Sequence, residues 1–173
     1  MKRVLVSLIL LCVMVISTFA TVKVNFADWS KLVGQKKIAV VLNLDSLKYK
    51  KTRPFNEFLY KEKRVKDWQA ESLAYFVSNF NERMAALGVE TYDGTEKNES
   101  NYIIRIVPLN VSSGGKLSGY AGLYDSNTNE MIVSFSFDTN DGDDDDEITF
   151  RDPLRELGED FGKLFVKGLK KLK

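Results

Sequence analysis

Between Asp67 and Leu87 the apolar residues Leu73, Phe76, Val77, Phe80, Met84 and Leu87 recur at spacings of three and four, while Glu71, Ser78, Asn79, Glu82 and Arg83 turn elsewhere. This 3.6-residue period predicts an amphipathic helix over 67–87. Asp67 offers an acceptor to the free N–H groups of the first turn, and Gly88 can take the left-handed conformation that stops a helix. Burying the six apolar side chains gains on the order of 10 kcal/mol before entropy. A lone helix cannot bury them, so the flanking segments must supply a second layer.

Those segments read as strands. Ile38 to Leu44 is a continuous apolar run rich in β-branched residues, the pattern of a strand buried on both faces. Val89 to Tyr92 is a short strand, followed by an Asp93-Gly94 turn. Tyr102 to Val111 is a longer one, in which Pro108 marks an edge, a bulge or a kink because it cannot donate to a ladder. Leu117 to Tyr124 and Glu130 to Asp138 form a hairpin around 125–129. In its second arm Ile132, Ser134 and Ser136 alternate with Val133, Phe135 and Phe137, the period of a half-buried strand. Val22 to Gln35 reads as one helical turn or an ordered arm that packs Trp29 onto the core.

A second helix opens at Asp152-Pro153, a cap followed by a favoured first-turn proline. Its stripe is Leu154, Leu157, Phe161, Leu164, Phe165, Leu169 and Leu172. Gly158, Gly162 and Gly168 weaken its propensity by roughly 1 kcal/mol each and would allow close packing against a sheet. The order of elements predicts an α+β two-layer domain, a mostly antiparallel sheet of about four or five strands with two helices on one face.

The first twenty residues change the picture of location. Met1-Lys2-Arg3, an apolar run from Val4 to Ile16 broken only by Ser7, and an exit at Ser17-Thr-Phe-Ala20 describe a secretory signal peptide. The expected division is a signal over 1–20 and a single domain over 21–173, secreted or periplasmic. The run is short against the ~20 residues a spanning helix needs. Cys12, the one cysteine, lies inside it, and the chain has no histidine. The domain therefore has no thiol nucleophile, no disulfide and no cysteine zinc site, and lacks the usual proton-transfer side chain near neutral pH. The whole chain carries net charge +1, and removing Lys2 and Arg3 leaves acids marginally in excess. That balance argues against a nucleic-acid partner.

A signal peptide, Lys37-Ile-Ala-Val-Val, a helix ending Leu87-Gly88-Val89, a strand starting Asn101-Tyr-Ile-Ile-Arg, the Tyr124-Asp125 hairpin and a closing amphipathic helix form a familiar series. It resembles small exported bacterial envelope domains of unknown function. In element order it is also similar to the outer-membrane lipoprotein that activates penicillin-binding proteins and to the N-terminal domain of the Tol-system periplasmic protein. The resemblance implies an envelope binding or assembly module.

Two charge runs are candidate sites. Asp138, Asn140, Asp141, Asp143 and Asp145 sit in an acidic loop reaching Glu147, and clustered oxygens of this kind suit Ca²⁺, although the spacing is not that of an EF-hand. The same loop could equally be a solvated turn that discourages edge pairing. Between Leu47 and Lys66, Lys48, Lys50, Lys51, Arg53, Lys61 and Arg64 are interleaved with Tyr49, Phe55, Phe58 and Tyr60. Pro54 suits the start of a short helix there, with Phe55 and Phe58 inward. This long connection is the expected binding surface, for an acidic glycan or an envelope protein; the plain alternative is a solvated connection with its aromatics in the core. Ser113-Gly-Gly-Lys116 fits neither an acyl-transfer serine motif nor a P-loop. The expected function is a non-enzymatic envelope binding or assembly module with no cofactor and no required membrane association. A Ca²⁺-dependent surface element and a carboxylate-based hydrolase of envelope glycans are the alternatives. No residue pattern fixes the oligomer.

Overall fold

The computed structural model describes residues 22–55, 65–95, 100–140 and 150–172, with only the backbone for 65–68. Lys37–Leu42 (β2) is an interior strand of the sheet, in which Ile38, Ala39, Val40 and Leu42 are all buried. From Ile38 onward it is apolar because it is flanked on both sides, running parallel to Glu90–Asp93 (β5) and to Tyr102–Val111 (β6). From β6 the chain continues as an antiparallel meander through Leu117–Asp125 (β7) and Met131–Asp138 (β8). Lys23–Ala27 (β1) pairs antiparallel with β8, and Lys48–Tyr49 (β3) pairs parallel with the end of β6 and antiparallel with Arg53–Pro54 (β4). The strand order is β1-β8-β7-β6-β2-β5, with β3 and β4 off that path.

The fold is α+β, but the expected sheet needs correction: among the described residues it has eight strands and is mixed, not four or five and mostly antiparallel. β1, β3 and β4 are five, two and two residues long, too short to show a period. The parallel pairings of β2 join segments far apart in sequence, which no local pattern reveals. Pro54 ends β4, where a short outer strand tolerates its missing donor, and the helix expected at Pro54 begins one residue later at Phe55, the rest of it lying outside the described residues. Pro108 does mark a bulge, since the register with β7 shifts between Pro108 and Asn110.

Val65–Met84 (α1) continues into a 3-10 turn, Ala85–Leu87, and stops at Gly88 with φ 65°. The side chain of Asp67, the expected cap, lies outside the described residues. Arg151–Lys170 (α2) begins two residues earlier than expected, after Phe150 in a left-handed conformation with φ 56° and no side-chain cap. Asp152 is therefore not the cap. It sits in the first turn, where its charge suits the helix dipole, 3.4 Å from Arg155.

Phe76 and Phe80 of α1 and Phe161 and Phe165 of α2 interlock over Phe135 of β8. Ring centroids are 5.7 Å apart for Phe76–Phe161, 5.1 Å for Phe80–Phe165 and 4.5 Å for Phe135–Phe161. All five rings are fully buried, each contributing roughly 2–3 kcal/mol of apolar transfer. The α2 glycines pack differently from expectation. Gly158 and Gly162 face α1, where an added Cβ would lie 2.5 Å from the Phe76 carbonyl oxygen and 2.5 Å from Arg83 Cβ; Gly168 faces the Trp29 indole. Trp29 belongs to a 3-10 turn, Trp29–Leu32, and its ring meets Phe165 at 5.1 Å. The arm expected to bring Trp29 to the core is thus present, preceded by the unforeseen strand β1.

One edge of the sheet is closed by a side chain. Asn81 of α1 accepts from the Thr91 N–H at 2.6 Å and donates to the Thr91 carbonyl at 2.9 Å, occupying β5's outward backbone positions as another strand would.

Candidate functional site

The basic connection of the sequence folds in part into a hairpin. Thr52 N–H donates to the Tyr49 carbonyl at 3.2 Å, closing a turn whose central residues, Lys50 and Lys51, have φ of 50° and 66°. Two consecutive positive φ values are the mark of a type I′ turn, which ordinarily selects Asn-Gly. Lysine there costs on the order of 1 kcal/mol per residue. The turn is held from both sides. Lys50 N–H donates to the Val111 carbonyl at 2.8 Å, and Phe55 N–H donates to the Leu47 carbonyl at 3.0 Å. Phe55 is buried and stacks on Phe150 with centroids 5.2 Å apart, which anchors the far end of the hairpin in the core.

Lys48, Lys50, Lys51 and Arg53 are exposed around this hairpin. Among the described residues none of the four is in an ion pair. Lys50 Nζ lies 5.2 Å from the centroid of the Tyr49 ring. An open cleft of about 530 Å³ runs beneath the hairpin, lined by Asp45, Ser46, Lys48, Lys51, Leu109 and Asn110 among others. Lys61 and Arg64 lie outside the described residues, so the structure unites four of the six expected cations.

The acidic run is represented by two members. Asp138 is exposed at the end of β8, and Asn140 donates from its backbone and side-chain nitrogens to Glu156 at 3.0 and 3.2 Å. Asp141, Asp143 and Asp145 lie outside the described residues. Among those described, no three His, Cys, Asp or Glu side chains come together as a metal site. In the 125–129 turn, one oxygen of Asp125 accepts from Asn127 N–H at 2.8 Å and Thr128 N–H at 3.0 Å. The Thr128 bond, followed by that of Asn127, holds the carboxyl below its ordinary range. That carboxylate builds the turn.

Strand pairing also creates a surface that sequence reasoning missed. On the sheet face away from the helices, Val41, Arg105, Gly122, Ser134 and Phe26 form one row across five strands. Tyr92, Ala39, Ile103, Tyr124 and Met131 form the row on one side, and Val107, Tyr120, Ser136 and Lys23 the row on the other. Tyr120 is 44% exposed and Phe26 54%. The Tyr124 ring leans over Gly122, where a Cβ would lie 2.6 Å from it. Arg105 stacks on the same ring at 4.6 Å and donates to Asn129 Oδ1 at 2.7 Å. The signal was present in the alternation of Ile103, Arg105 and Val107 and of Tyr120, Gly122 and Tyr124, but only the register aligns the two sets. Among the described residues no helix is long and apolar enough to cross a membrane.

No family model matches the chain, and no curated protein matches it. Among solved structures, it is similar to the PelC dodecamer from Paraburkholderia phytofirmans, at 12% identity and TM-score 0.45 over 87% of this chain and 97% of that one. A point variant of that dodecamer gives 10% identity and TM-score 0.44, covering 87% and 98%. The crystal structure of an uncharacterized protein gives 9% and 0.34, covering 80% and 94%.

Proposed function

We propose that this chain is an exported, non-catalytic binding module of the cell envelope that holds an acidic glycan in the cleft beneath the Lys50–Lys51 turn. The observation that carries the reading is the turn itself. Lysine stands at both left-handed positions where Asn-Gly would relieve the strain, so positive charge is kept at the tip at a cost in stability. The cleft offers what an acidic sugar chain uses: the ammonium groups of Lys48 and Lys51, the amide of Asn110, the hydroxyl of Ser46 and the apolar edge of Leu109. Export rests on the Met1–Ala20 pattern. The absence of histidine, and of cysteine beyond Cys12, supports a holding role over a reacting one.

The test is binding of polygalacturonate by the purified protein at low and moderate salt. Saturable binding that weakens with salt, and falls about tenfold in the double variant Lys48→Ala/Lys51→Ala, is the expected result. Binding unchanged by that variant, or no binding, overturns the assignment of the cleft. Cleavage of the glycan by pure protein overturns the non-catalytic reading.

A further inference from the structure

We infer that the open face of the sheet is a second, separate docking surface, and that it takes an acidic amphipathic segment of another protein whose carboxylate meets Arg105. Around this guanidinium the three rows described above carry exposed Phe26, Tyr120 and Met131 and half-buried Val41 and Tyr124, with Ile103 and Val107 buried beneath them. No helix of the described chain covers them, since Phe76, Phe80, Phe161 and Phe165 all pack on the opposite face through Phe135. Aromatic residues and arginine in an apolar surround are the composition of interaction hot spots.

Charge and size choose the occupant. Among the described residues Arg105 is the one charged residue in the middle of the face; Lys23 lies at the β1 edge, Lys37 and Glu90 beyond the rows at one end and Asp138 at the other. Among the described residues it has no carboxylate partner, and its stacking on Tyr124 and bond to Asn129 fix it in place while leaving most of its five donors for a ligand. A second copy docked about a central two-fold axis would set guanidinium against guanidinium. The rows span about 24 Å by about 13 Å at usual strand and residue spacings, roughly 300 Å². That strip suits a single helix about 10 Å wide. Membrane headgroups call for several cations on one face, and this one has a single central charge.

The experiment places a photo-crosslinking benzophenone residue at position 120 of the full chain, made in its own cells. The expected product is a single adduct whose sequenced peptide carries an Asp or Glu among apolar residues. Its yield should fall about tenfold in Arg105→Glu and return when the partner carboxylate is changed to Arg. Ser134→Glu, in the same row and half-buried, provides a second disruption should Arg105→Glu fail to fold. An adduct with a second copy, a lipid or a glycan overturns the proposal, as does a yield that ignores both variants, failure of the charge swap to restore it, or no adduct from folded protein. Lys48→Ala/Lys51→Ala leaves this adduct unchanged, which separates the surface from the cleft.

Discussion

Gly168 of α2 lies directly beneath the indole of Trp29, so closely that a methyl group there would overlap the ring. The glycine is what lets the arm between β1 and β2 lie on α2 and bring Trp29 to Phe165 and Phe135. Gly168→Ala gains about 1 kcal/mol of helix propensity but drives the indole outward, an overpacking cost of about 1–3 kcal/mol. The expected result is a net loss of stability in urea with a red-shifted tryptophan emission. A more stable variant with unchanged emission would refute the contact.

The same comparison is sharper at Gly158. Its neighbour is the Phe76 carbonyl oxygen, a backbone atom of α1 that cannot swing aside. Gly158→Ala should therefore cost about 2–3 kcal/mol net and lower the thermal midpoint by several degrees. Calorimetry showing no loss would mean that the helices do not meet at this seam.

The helices also meet through charge. Glu159 lies 3.0 Å from Arg83 and 3.4 Å from Lys163, which in turn lies 2.8 Å from Asp160. Desolvation raises the pKa of Glu159, but the bonds and charges of Arg83 and Lys163 outweigh it and leave the carboxyl below its ordinary 4.5. Desolvation likewise lowers Lys163, while Asp160 and then Glu159 reverse it and hold the ammonium above its ordinary 10.5. The lowered carboxyl contributes stability that is complete above about pH 4.5 and is lost as pH falls through its folded pKa. The raised ammonium contributes stability that is complete below about pH 10.5 and is lost as pH rises through its own. The urea midpoint should therefore plateau between these limits, and Glu159→Gln should flatten the acid limb. An acid limb identical to that of the parent protein would show that this carboxylate is not responsible.

Replacing Lys50-Lys51 by Asn-Gly should separate stability from binding. The turn keeps its geometry and loses its strain, so the protein should gain about 1–2 kcal/mol in equilibrium unfolding. Polygalacturonate binding should weaken in the same variant. Loss of stability would mean that the turn is not type I′.

How much of this was legible follows from how locally each element is specified. Both long helices announced themselves, because Phe76, Phe80, Phe161 and Phe165 repeat at helical spacing. The β7–β8 hairpin did too, through the alternation at 132–137. The β3–β4 hairpin was hidden because Lys-Lys is the wrong dipeptide for its turn and its strands are two residues each. β1 was hidden because five residues with a bulge at Asn25 show no period. The position of β2 between β5 and β6, and the row that sets Arg105 beside Gly122, depend on pairings between distant segments. Local patterning constrains those only after the register is known.

Asn81 and Thr91 supply the last test. Asn81→Ala removes two backbone bonds at a sheet edge and leaves Thr91 unpaired, a cost of about 1–3 kcal/mol. It should also open β5 to other chains, visible as concentration-dependent scattering. A variant as stable and as monodisperse as the parent would show that the amide does not guard the edge.

The place of β2 between two parallel partners also sets a timetable. As the chain is made from its N-terminus, the apolar run from Ile38 to Leu42 appears well before residues 90–93 and 102–111, the strands that flank it. Its parallel partners cannot arrive by a tight turn, so this strand waits, exposed, until those later segments have been made. A strand flanked on both sides in the finished sheet is therefore an unpaired apolar segment while the protein is unfinished, the kind of surface that chaperones shield.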